Sequence, residues 1–179
     1  IGRAYWEQGE RAAAMHHYQQ ALIILEGETN DAELARAVSA ISQMHMLANE
    51  YGQAIAWGER ALAAAQGLQA EDVIVHALVN VGNSLVAQGE EERGLALLTE
   101  SQERAELLGL PHDACRAYTG LGDSLIHLER YGQARACYER MLAYARQVQA
   151  LMFEGVALVH LGYLDWWAGR WGAALERQQ

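Results

Sequence analysis

The chain contains no lysine, one proline (Pro111), one phenylalanine (Phe153) and two cysteines. Each scarcity excludes something. With one proline in 179 residues, and alanine and leucine abundant, almost nothing interrupts a helix, which predicts helix throughout. Cys115 and Cys137 are too few for a disulfide framework and lack metal or redox spacing. They read as small hydrophobes of a reducing compartment, and a cytoplasmic location is the expectation. Apolar runs such as residues 21–25 and 155–159 are far too short to cross a bilayer, so no membrane partner is expected. No Arg-rich run exists, and 23 acidic residues outweigh 13 basic ones for a net charge of −10, so a phosphate backbone is repelled and direct nucleic-acid binding is not expected. No secretory leader is recognisable, and the chain opens on Ile1 rather than methionine; it reads as a piece of a longer protein.

What is present is periodic. With a step of 40 residues, one column reads Gly2, Ser42, Gly82, Gly122 and Gly162, each preceded by an aliphatic residue. Seven residues on come Gly9, Asn49, Gly89, Glu129 and Gly169; five further come Ala14, Ala54, Gly94, Ala134 and Ala174. Ala37, Ala77, Ala117 and Ala157 form another column without exception. These columns define a single array over residues 1–179, with copies at about 1–30, 31–70, 71–110, 111–150 and 151–179, the first and last incomplete.

Each column has a physical task. In the second copy Leu34, Ala37, Val38, Ile41, Met44 and His45 recur at helical spacing, and after Asn49 a second helix from Tyr51 to about Gln66 turns Ala54, Ile55, Ala61 and Leu62 inward. The Gly or Asn between them suits a helix end in left-handed conformation. Small residues in mid first helix (Gly82, Gly122) are expected to face small ones in the second (Gly94, Ala134), because a glycine inside a helix costs about 1 kcal/mol and needs a packing reason. Pro111 fits a first-turn position, Thr29, Asn30 and Glu33 resemble a capping box, and Glu90, Glu91 and Glu92 suit a helix N-terminus.

The best copies, Ile1-Gly2…Tyr5…Gly9…Ala14…Tyr18…Ala21-Leu22 and Leu121-Gly122…Leu125…Tyr131…Ala134…Tyr138…Leu142, resemble the tetratricopeptide repeat. The third copy departs, with Glu91 and Leu98 in the aromatic columns. The step exceeds the usual period of about 34 residues, and the six extra residues are expected to lengthen the helices. This variant is similar to repeats of kinesin light chains, Pins-type adaptors and large bacterial signalling regulators. The resemblance implies an all-α fold: an α-solenoid of about ten helices, antiparallel pairs wound into a right-handed superhelix whose first helices line a concave groove. Carried onto this sequence, the groove positions include Arg36, Gln43, His76, Asn80, Asn83, Arg116, Asp123, His127, His160 and Tyr163. The run Ala77-Leu78-Val79-Asn80-Val81-Gly82-Asn83 resembles repeats whose asparagines hold an extended peptide, and an amide supplies both donor and acceptor for that task. Arg36 and Arg116 could pair with a carboxylate, whereas a clamp of paired lysines is impossible here.

Other features carry no chemistry. Gly120-Leu121-Gly122 is half of a dinucleotide fingerprint, but it lies inside a helix with no strand before it. His16 and His17 are adjacent and point apart, so no metal is expected; no cofactor and no catalytic arrangement can be assembled, and the chain does not read as an enzyme. Phe153, Tyr163, Trp166, Trp167 and Trp171 crowd the last copy, predicting an exposed apolar end face and self-association through it. Two functions are expected from the whole: a scaffold holding a protein or peptide in its groove, or the effector-sensing arm of a bacterial regulator.

Overall fold

The computed structural model describes residues 2–25 and 32–176. Ten helices follow one another, with no strand among the described residues: α1 (Gly2–Glu7), α2 (Arg11–Leu25), α3 (Ala32–Leu47), α4 (Tyr51–Leu68), α5 (Glu71–Ala87), α6 (Glu91–Leu107), α7 (Pro111–His127), α8 (Tyr131–Gln147), α9 (Leu151–Trp167) and α10 (Trp171–Glu176). They gather into two compact units, Ile1–Leu97 and Leu98–Gln179. Thr29 and Asn30 of the expected capping box lie outside the described residues.

The 40-residue step is built from two equal halves. Left-handed residues occur at Gly9, Asn49, Gln69, Gly89, Gly109, Glu129, Gln149 and Gly169, with φ between +54° and +89°. These positions lie on a single 20-residue ladder. At each the chain closes the same way, the next N–H donating to the carbonyl five residues back: Glu50 to His45 at 2.9 Å, Ala70 to Ala65 at 3.0 Å, Arg130 to Leu125 and Ala150 to Ala145 at 2.8 Å. This 6→1 bond satisfies a carbonyl that the helix end would otherwise orphan. The turn column seen in the sequence (positions 9, 49, 89, 129 and 169) is thus left-handed in all five copies, Glu129 included. The second set, between hairpins, falls on Gln69, Gly109 and Gln149, of which only Gly109 carries a turn signal. The extra residues beyond the common period go into helix length: the helices from α4 to α9 run 17 or 18 residues.

In the first unit α3 packs on α4 and α5. Ala37, Val38, Ile41 and Met44 of α3 are buried as the spacing required, while Leu34 and His45 are half-buried. Val38, Ile41, Ala61 and Ala77 form one cluster with Leu22; Ala35, Ala65, Val73, Ile74 and Leu78 form another. A large aliphatic side chain sunk this fully contributes about 1.5–3 kcal/mol. In the second unit Tyr138, Met141 and Ala145 of α8 and Leu161 of α9 are fully buried. Pro111 opens α7 at its first turn.

Glycines set the closest approaches. A Cβ on Gly94 of α6 would stand 2.6 Å from the Gly82 carbonyl and 2.8 Å from the Val86 nitrogen, so the expected meeting of Gly82 and Gly94 is observed. Gly122 has a different neighbour. Its Cβ would fall 2.5 Å from the Tyr138 ring, so the glycine makes room for that aromatic ring rather than for Ala134. Gly2 faces the Tyr18 ring in the same way, at 3.3 Å.

Gly94→Ala should therefore lower the melting temperature. Alanine improves helix propensity by about 1 kcal/mol, but its methyl group would overlap two backbone atoms that cannot rotate aside, and overpacking of about 1–3 kcal/mol outweighs the gain. Gly155→Ala in α9, where the new Cβ meets nothing within 4 Å, should raise the melting temperature instead. Thermal denaturation followed by circular dichroism reads both; equal shifts would show that helix contact does not constrain Gly94.

Candidate interaction surface

One register position distinguishes the first helix of each hairpin. Forty residues apart, Gln43 of α3, Asn83 of α5, Asp123 of α7 and Tyr163 of α9 all keep solvent access, the first two half-buried and the last two exposed. Their neighbours Ser42, Gly82, Gly122 and Gly162 on one side, and Met44, Ser84, Ser124 and Leu164 on the other, are buried. The position thus marks where each helix turns from its packed side to an open one.

In the first unit this side is a polar seam. Arg36 Nε lies 3.3 Å from Glu33 Oε1, and its guanidinium also pairs with Asp72 of α5. Ser39 Oγ sits 2.7 Å from His76 Nδ1, and Asn80 Nδ2 donates to the Ser39 carbonyl at 3.0 Å. Asn83 Nδ2 reaches Met46 Sδ at 3.8 Å. The structure places Asn80 differently from its neighbours in the groove set: it is 0% exposed and its amide ties α5 to the backbone of α3. Ser39, 1% exposed, belongs to the same buried joint. Arg36, Gln43, His76 and Asn83 are the members of this unit that reach solvent.

In the second unit the open side is aromatic and acidic. The Tyr138 hydroxyl donates to Asp123 Oδ1 at 2.5 Å. Burial, reinforced by that carboxylate, pushes the phenol well above its ordinary range, so Tyr138 remains a donor. His160 stacks on the Tyr138 ring at 4.5 Å and 7°, its Nδ1 lying 3.5 Å from Asp123 Oδ1. Tyr163 meets Trp167 edge to face at 6.0 Å, and Trp167 meets Trp166 at 5.9 Å. His127 is exposed one turn beyond Asp123 on α7. Arg116, two turns before Asp123, is partly buried; burial lowers its guanidinium to about 10 against the opposing pull of Asp113, which leaves it charged at neutral pH.

Side chains with no place in the sequence reading complete this unit. Asp165, near the C-terminal end of α9, is 2% exposed and accepts from Arg135 of α8 at 2.6 Å and from Arg170 at 2.9 Å. A partial signal was available: Asp165 stands where the third and fourth copies carry Leu85 and Leu125, although the first two carry Tyr5 and His45. Gln102 likewise stands in a column with Leu22, Leu62 and Leu142.

Cys115 and Cys137 are buried and unpaired, and burial pushes their thiols up to about 11 and about 12, so both stay protonated and unreactive at neutral pH. His17 stacks on Tyr5 at 5.0 Å. Among the described residues no group of three His, Cys, Asp or Glu side chains could hold a metal ion. Among them, too, no helix is long and apolar enough to cross a membrane. On α9 and α10, Trp166, Trp167 and Trp171 are 58%, 59% and 66% exposed; Phe153 is half-buried and meets His112 edge to face.

Two tetratricopeptide repeat family models match the chain, one over residues 73–147 and one over residues 1–26. Among curated proteins none matches. Solved structures similar to it include a Rap protein complexed with Competence and Sporulation Factor, 18% identical with a TM-score of 0.88 over 98% of this chain and 49% of that one. BtubC from P. vanneervenii is 18% identical with a TM-score of 0.74, over 98% of this chain and 73% of its own. A putative kinesin light chain from Podosopora anserina is 13% identical with a TM-score of 0.72, over 99% of this chain and 87% of its own. The chain spans about half the length of the Rap structures it matches. At such identities the likeness is one of fold.

Proposed function

The chain belongs to the tetratricopeptide repeat family, and from that premise we propose that it is a protein-interaction scaffold holding a peptide or partner domain on the open sides of its first helices. Repeats of this kind are interaction modules rather than catalysts. One observation carries the reading. The solvent-facing register position keeps a side chain able to hydrogen-bond in every hairpin from the second to the fifth (Gln43, Asn83, Asp123 and Tyr163), although the positions beside it are closed. Amide, carboxylate and phenol at this register give each first helix donors and acceptors that an extended peptide backbone or a polar side chain can meet.

The test is capture on the immobilised chain against a variant carrying Gln43→Ala, Asn83→Ala and Tyr163→Ala. Loss of at least about tenfold in partner or peptide affinity, with helicity and melting temperature unchanged, is expected if these side chains make the contact. Equal capture by the variant would refute the assignment of this surface. Asn80 is left intact, because its amide joins α3 to α5 and its removal would test folding rather than binding.

A second reading, the effector-sensing arm of a larger bacterial regulator, draws support from the likeness to a Rap protein whose structure was solved with Competence and Sporulation Factor bound. Any ligand of the folded state raises the melting temperature, so the two readings separate by which class does so: a rise with small metabolites in the absence of peptide favours the sensing arm, and a rise with peptides alone favours the scaffold.

A further inference from the structure

The face of the second unit that carries Asp123 has a chemistry narrower than general peptide binding. Asp123 is 52% exposed at its side chain, yet its carboxylate is held in place: the Tyr138 hydroxyl is bonded to Oδ1, and Tyr138 is itself fully buried against Gly122. His160 lies beside the same oxygen at 3.5 Å. Both of these contacts are made at Oδ1, and the side chain as a whole stays half open to solvent. On α9, His160, Tyr163 and Trp167 follow at helical spacing along one face, so the aromatic pair Tyr163–Trp167 continues from the histidine that touches Asp123. The only other formal charges on α9 are Glu154, paired with Arg146, and Asp165, buried between two arginines.

An oriented carboxylate with His160 beside it and Tyr163 one turn further along α9, on a chain of net charge −10, is complementary to a cation; the cation nearest along α7, Arg116, is partly buried and under the pull of Asp113. The planar guanidinium suits it better than ammonium. It can form a charge-assisted bond to Oδ2 while laying its face on an aromatic ring, and it sheds water at lower cost. We infer that this face of α7 and α9 binds an arginine side chain of an extended peptide, with Asp123 as counter-ion, Tyr138 holding that counter-ion in place, and Tyr163 and Trp167 forming the aromatic wall. The inference rests on the reading that the first-helix faces hold a peptide, and it adds the chemical class of what is held. Tyr138 is a positioning residue here, since it touches the carboxylate and not the ligand.

An array of short synthetic peptides, probed with the chain and with its Asp123→Asn variant, tests it. Asparagine keeps an acceptor for the Tyr138 hydroxyl and the side chain's shape, while it removes the charge and turns one oxygen acceptor into an N–H donor. The expected result is enrichment of arginine among bound peptides. Affinity for those peptides should fall about tenfold in Asp123→Asn, whereas the same peptides with citrulline in place of arginine should bind the two proteins equally. Tyr163→Leu should weaken the arginine peptides several-fold on the same array. If peptides bind without arginine enrichment, or Asp123→Asn binds them as well as the parent, the cation site is wrong and the scaffold reading stands. If no peptide on the array binds, both fall.

Discussion

Asp165→Ala is expected to lower the stability of the second unit by about 3 kcal/mol, more than any other single truncation considered for this chain. The carboxylate is 2% exposed, and two guanidiniums converge on its Oδ1, from Arg135 at 2.6 Å and from Arg170 at 2.9 Å. An aspartate in the last turn of a helix is poorly placed with respect to the helix dipole, so these two arginines are what make it tolerable there. Removing it leaves Arg135, only 22% exposed at its side chain, charged and without its closest partner. Breaking a buried pair by deleting one member costs about 3–5 kcal/mol, and the low end applies because Arg170 reaches solvent. Asp165→Leu should cost less, since Leu85 and Leu125 fill the same column in other hairpins and apolar burial offsets part of the loss. Urea denaturation of the two variants and the parent measures the difference. An unchanged midpoint for Asp165→Ala would show that the pair carries no net weight.

Gln102→Leu runs the other way and should stabilise by about 1–3 kcal/mol. Gln102 is 1% exposed on α6, and its Nε2 has no hydrogen-bond partner among the described residues. A buried donor without a partner loses its hydration and receives nothing in exchange. Leucine has nearly the same reach, no polar atom, and already occupies positions 22, 62 and 142 of that column. A gain of this size in a chain of 179 residues corresponds to a rise in melting temperature of about 2–4 °C per kcal/mol. Leu142→Gln, the reciprocal change at a buried leucine, should destabilise. A fall in melting temperature for Gln102→Leu would mean that the amide is satisfied after all.

Much of the fold was legible because its signals are local and repeated. A helical period needs only apolar residues at the right spacing, and a left-handed turn residue announces itself when it is Gly9, Gly89 or Asn49. Where the same backbone conformation falls on Gln69, Glu129 or Gln149, no side chain reports it; of Gln69, Gly109 and Gln149 between hairpins only Gly109 carries a turn signal, too little to reveal a second column. The small-residue columns showed that helices approach closely, but not what fills each gap. Gly94 meets the backbone of Gly82, whereas Gly122 receives the ring of Tyr138, and that depends on the side chain the opposing helix offers.

The candidate surface was legible to a smaller degree. Register alone put Asn80, Asn83 and Asp123 in one class, because all sit on the same side of a first helix. Asn80 lies three residues before the open position, close enough to the seam for its amide to reach the Ser39 carbonyl, and it is closed off. Asp123 falls at the open position itself and stays accessible, with Tyr138 fixing its carboxylate from below.

Sequence by itself therefore determined the helical class, the 40-residue step and the register position that stays open to solvent in the first helices. All three follow from periodicity, which is a property of one chain segment at a time. Tertiary structure alone decided which polar side chains are spent inside and which remain open, and that two arginines hold Asp165 where the two preceding copies carry leucine. Those outcomes turn on which groups meet across neighbouring helices, at separations of about 3 Å that no spacing along the chain encodes.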